Sequence, residues 1–154
     1  MSWVTPITDR VLSDVTSPTP SGKGYFNVAD WTRVNGNNIE LRSILAADGY
    51  KDIVPNTLVT PTMTTIPTVT DINQLIENIE RLRLAACLPS ALISALPYDW
   101  LGGPNQDSPD YTDVNTWEEN QLILHTAIPY AVSYRISCCV AAAGQSRMWQ
   151  HRFR

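Results

Sequence analysis

The chain has 154 residues, of which 44% are hydrophobic and only 17% charged. That length suits one domain, or a few small helical units sharing a core. The formal net charge of -4 excludes a general nucleic-acid binder, which needs a basic face for the phosphates.

Residues 1–26 read as an extended arm. The opening MSWVTPITDR has no basic stretch followed by an apolar run, so no secretory signal is expected and synthesis in the cytoplasm is. Pro6, Pro18, Pro20, Gly22 and Gly24 stand amid Ser and Thr, a composition that builds no core of its own. Trp3, Val4 and Ile7 are apolar anchors, which fits an arm lying across a partner or a neighbouring subunit.

Residues 27–129 repeat one pattern. Aligning Asp30, Asp71 and Asp113 brings Asn37, Asn78 and Asn120 into register without a gap, at spacings of 41 and 42 residues. Three positions before each aspartate stands a capping residue: Asn27, Thr68 and Asp110. An N-cap with an acidic residue at the third helical position satisfies early backbone N–H groups and favours the helix dipole. Apolar residues follow at helical spacing: Trp31, Val34, Leu41, Ile44 and Leu45; then Ile72, Leu75, Ile76, Ile79 and Leu82. The third set is Val114, Trp117 and Leu124, with Leu122 and Ile123 alongside. Each repeated Asn borders its stripe. Half-buried, its amide needs partners, and the backbone of a neighbouring segment can supply them, making a structural latch. The first helix should stop near Asp48–Gly49, the second around Cys87–Leu88 before Pro89, and Pro129 limits the third.

The connectors differ. Residues 51–67 look extended and are rich in Pro and Thr. Residues 89–109 open with PSALISALPYDW, a short apolar turn, and pass into the loop LGGPNQDSPD. The uncharged run 84–98 holds two prolines and is too short to span a bilayer. Tyr98 and Trp100 could stack on a sugar ring, and this supplies the alternative reading of the chain as a carbohydrate-binding module for cell-wall glycan. Over 130–154 large and small residues alternate with period two, which predicts a terminal β-hairpin, with a helix over 130–142 as the alternative. Its end, RMWQHRFR, carries Trp149, Arg152 and Phe153, residue types that suit a protein–protein edge.

No constellation marks an active site. His125 and His151 form no metal-ligand pair, and Asp107, Asp110 and Asp113 have spacing three rather than the spacing two of a calcium loop. Cys87, Cys138 and Cys139 give neither a disulfide framework nor a C-x-x-C site. No catalytic residue, metal or cofactor is expected, a small-molecule ligand is not expected, and neither is an enzyme.

The segment YFNVADWTRVNGNNIELRSIL resembles the "YFNA-x-D-φ-N-R-I-x-x-N-I-x-Y-L" segments of small phage and prophage tail-associated structural proteins of Gram-positive bacteria. TDINQLIENIERL and TDVNTWEENQLIL are similar to the later repeats of that family, and MSWVTPITDR to its starts. SYRISCCVAAAGQ is similar to its "Y-R-x-C-G-T-F-x-x-G" hairpin, with Ser137 and Cys138 where that pattern has Cys and Gly. The resemblance implies a virion protein of the tail tip, baseplate or fibre attachment, contacting copies of itself and other tail proteins, with no nucleic acid and no membrane. The expected fold is mainly α: three homologous capped helices on a common core, extended Pro/Thr-rich connectors and a C-terminal β-hairpin, with 1–26 as arm, 27–129 as helical domain and 130–154 as tail.

Overall fold

The computed structural model describes residues 2–16, 22–24, 26–50, 56, 58, 60–62, 64–65, 67–86 and 109–129. Among these residues the fold is mainly helical. A short helix α1 spans Leu12–Thr16, α2 spans Val28–Ala47, α3 spans Val69–Ala86, and α4 covers residues 111–129. The expected hairpin over 130–154 and the connector over 89–108 lie outside the described residues, as does most of 51–67.

Local chemistry starts each long helix. Asn27 Oδ1 accepts the N–H groups of Ala29 (2.8 Å) and Asp30 (3.2 Å), while Asp30 Oδ2 accepts that of Asn27 (3.0 Å). At α3, Thr68 N–H donates to Asp71 Oδ2 (2.7 Å), and Asp71 N–H donates to Thr68 Oγ1 (3.3 Å). At α4, Asp110 N–H donates to Asp113 Oδ2 (2.9 Å), and Asp110 Oδ1 accepts from the N–H groups of Thr112 (2.7 Å) and Asp113 (3.1 Å). Each arrangement satisfies donors that have no partner inside the helix. The end of α2 is equally local: Gly49 N–H donates to the Ala46 carbonyl (3.1 Å) and Tyr50 N–H to that of Leu45 (3.0 Å). Gly49 takes φ 78°, the left-handed geometry this motif requires. The helix over 111–129 runs through Pro129 itself, whose missing N–H removes only one bond from the last turn.

The helices close on one apolar cluster. Trp31, Val34, Leu41 and Leu45 come from α2; Leu75, Ile76, Ile79, Leu82 and Ala86 from α3; Val114, Trp117, Leu124 and Ile128 from α4. Full burial of each large aliphatic or aromatic side chain contributes roughly 1.5–3 kcal/mol. Leu122, expected beside the third stripe, points outward at 39% exposure, whereas Ile128 takes a core place. Residues 2–16 are extended up to Val11, and α1 then adds a turn that the composition of the arm does not suggest. Asp14 explains it, because its Oδ2 accepts the Val11 N–H (2.9 Å) and starts the helix. No residue of α1 is buried.

Candidate functional site

The extended part of the arm crosses α2 and α4, and paired side-chain amides hold it there. Asn37 accepts the N–H of Val4 (3.0 Å) and donates to its carbonyl (2.8 Å). Asn115 treats Arg10 the same way, accepting its N–H (3.2 Å) and donating to its carbonyl (2.9 Å). On α3, Asn78 accepts the N–H of Asn56 (2.7 Å) and donates to its carbonyl (3.2 Å). A carboxamide carries one acceptor and one donor side by side, so it can replace a rung of β-ladder for a strand that has no strand beside it. Asn120 is fully buried on α4, and its Nδ2 donates to the Thr116 carbonyl (2.7 Å).

Between the first two clamps sits a buried cluster of four charges. The Arg10 side chain is 1% exposed and donates through Nη2 to Asp30 Oδ1 (3.1 Å) and Glu118 Oε1 (2.8 Å). Its Nε donates to the Lys23 carbonyl (2.9 Å) and its Nη1 to the Ile7 carbonyl (2.5 Å). Arg33 reaches the same acids: Nε donates to Glu118 Oε2 (2.8 Å), and Nη2 to Glu118 Oε1 (2.7 Å) and Asp30 Oδ1 (2.5 Å). Ile7 N–H completes Glu118 by donating to Oε2 (2.7 Å). Two guanidinium groups thus face two carboxylates, and Glu118 accepts four bonds. Burial disfavours the charged form of Arg33, but the carboxylates of Glu118 and Asp30 outweigh it and raise its pKa above the ordinary value.

A second buried polar chain ties the helices together. Gln121 Nε2 donates to the Val34 carbonyl (2.7 Å) and to Asn38 Oδ1 (2.6 Å), and Asn38 Nδ2 donates to the Leu75 carbonyl (3.4 Å). This path runs from α4 through α2 to α3. Aromatic contacts finish the arm. Trp3 stacks on His125 with centroids 4.0 Å apart and planes 14° apart. Phe26 meets Trp31 and Trp117 edge-on, at 6.2 and 5.8 Å.

Chemically, this arrangement grips peptide. Guanidinium groups saturate its carboxylates, and its amides face backbone. Among the described residues no group of three or more His, Cys, Asp or Glu is placed to hold a metal ion, and no helix is long and apolar enough to cross a membrane. No protein-family model matches the chain, and comparison with curated proteins and with solved structures finds no match.

Of the residues singled out from sequence, Trp3, Val4 and Ile7 lie on the chain's own helices. The Val4 side chain is 49% exposed while its backbone is clamped. Asn27, Asp30, Thr68, Asp71, Asp110 and Asp113 stand at helix starts, and Asp30 also joins the ion cluster. Tyr98, Trp100, Trp149, Arg152 and Phe153 lie outside the described residues. Arg10, Arg33, Asn115, Glu118, Gln121 and Asn38 escaped the sequence reading. A signal for two of them was present: Glu118 and Gln121 fall at helical spacing among Val114, Trp117 and Leu124, so polar residues occupy part of the core stripe.

Proposed function

We propose that the chain is a structural virion component, a phage-tail protein of the tip, baseplate or fibre attachment, working through contacts with copies of itself and other tail proteins. In this reading the chain is three homologous helical units, each clasping an extended segment, with 130–154 as a β-hairpin edge open to a partner. It catalyses nothing and resides in the virion after synthesis in the bacterial cytoplasm.

One observation supports it above the rest. Asn37 and Asn78, equivalent in the repeat, each clamp both backbone groups of one residue in an upstream segment. The repeated polar residue therefore serves assembly of chain on chain. The resemblance of the repeats to tail-associated segments supplies the location. Electron microscopy of particles carrying a tagged copy is the test. Label at one fixed place on the tail is expected. Tagged protein present in the producing cell but absent from purified particles overturns the reading.

A further inference from the structure

The groove that holds the arm accepts it through bonds that reach far along the chain. They link residues 33 apart at Val4–Asn37, 105 apart at Arg10–Asn115 and 111 apart at Ile7–Glu118. None depends on which copy of the chain supplies residues 2–16. A second copy's arm would make the same set, and exchange of an identical element is a low-cost route to association.

Two further features favour exchange. The groove cannot stand empty: without Arg10, the buried Asp30 and Glu118 carboxylates keep only Arg33 as a cation partner among the described residues. An undocked arm must therefore be replaced by another. Second, the exposed large apolar residues gather on either side of the join at 17–21, which reads SPTPS. Val11 (50%), Leu12 (60%) and Val15 (40%) precede it, and Phe26 (37%) and Val28 (47%) follow it. Proline-rich joins favour extended spacers over tight reversals. In a two-fold exchanged pair the two joins pass each other at the axis, which brings these flanking residues together. Exchange then keeps every groove bond and covers apolar surface that the single chain leaves in water.

We propose that residues 2–16 exchange between two copies of this chain, Arg10 of each docking on Asp30 and Glu118 of the other. The proposal rests on the self-association in the function above and not on its virion location, and the purified chain alone tests it. Light scattering across a concentration series should show at least twice the chain mass at the upper end. Arg10→Glu and Glu118→Arg, each purified separately, should lose that species, because like charges then meet in every groove. Mixed in equal amounts they should regain it, since each arm finds an opposite charge only in the other chain. A wild-type chain that stays monomeric at every concentration overturns the proposal. So does a mixture of two helical variants that gives no joint species. Should the variants fail to fold alone, wild-type copies with two different tags, unfolded and refolded together, decide the matter. Co-capture supports exchange and its absence overturns it.

Discussion

Arg10 shows how much one side chain can hold. Its guanidinium is shared between two carboxylates and two carbonyls, and it sits where water cannot replace it. Substituting Met would fill much of the volume while leaving Asp30 and Glu118 short of positive charge. Removing one partner of a buried ionic group costs about 3–5 kcal/mol, and chemical denaturation of Arg10→Met should show a loss of that order. Lys23→Met is the control. Lys23 pairs with Asp9 at 3.0 Å, but the two side chains are 37% and 77% exposed. Solvent screens that pair, so the denaturation midpoint should barely move. Equal losses for the two variants would show that the buried cluster carries no special weight.

At the scale of the element, the repeated asparagine is the unit to test. Asn78→Leu keeps the bulk but leaves the N–H and carbonyl of Asn56 without their clamp. An unmet, partly buried polar group costs about 1–3 kcal/mol, so the melting temperature should fall and the Asn56 amide should exchange faster with solvent. Unchanged exchange at Asn56 would mean that the clamp does not restrain it. This element was half legible in the sequence. The seven-residue step from Asp71 to Asn78, repeated twice more, marks helix starts and a polar position beside an apolar stripe. Which backbone each amide meets was not legible, because the partner stands 33 residues upstream for Asn37 and 22 for Asn78. Local spacing carries no trace of such a pairing. Asn115 makes an equal clamp yet has no counterpart in the aligned repeats, so repetition could not reveal it. Arg10 was hidden for a similar reason: in a Pro- and Gly-rich arm, a lone arginine reads as a solvated charge.

For the molecule as a whole, charge sets the acid limit. A hydrogen bond from the Thr112 hydroxyl holds Asp110 below its ordinary carboxylate value of 3.8. Hydrogen bonds from Arg81 and then Asn56 hold Glu77 below 4.5. A carboxyl group whose pKa is depressed by folding stabilises the native state above its unfolded pKa, and that contribution fades as pH falls through the folded value. Thermal stability should therefore hold level from neutral pH down to the ordinary carboxylate range and decline below it. Asp110→Asn removes one titrating group and should give a shallower acid decline than wild type in melting temperatures recorded between pH 7 and pH 2. Superimposable declines would show that Asp110 contributes nothing to the pH dependence. The core itself was largely legible, since Trp31, Leu41, Leu75, Ile79 and Trp117 follow helical spacing and all are buried. The polar path through Gln121 and Asn38 was not, because a search for apolar periodicity passes over amides that satisfy one another inside a core.

The stack of Trp3 on His125 gives the arm an optical signature. An indole 4.0 Å from an imidazole, nearly coplanar with it, loses part of its fluorescence through contact quenching, and that loss ends when the rings separate. Subtracting the emission of a Trp3→Phe variant isolates this one fluorophore from the remaining tryptophans. Its brightness then reads the state of the arm in real time. Because the ring meets the same imidazole whichever copy provides it, the signal counts filled grooves rather than connected chains.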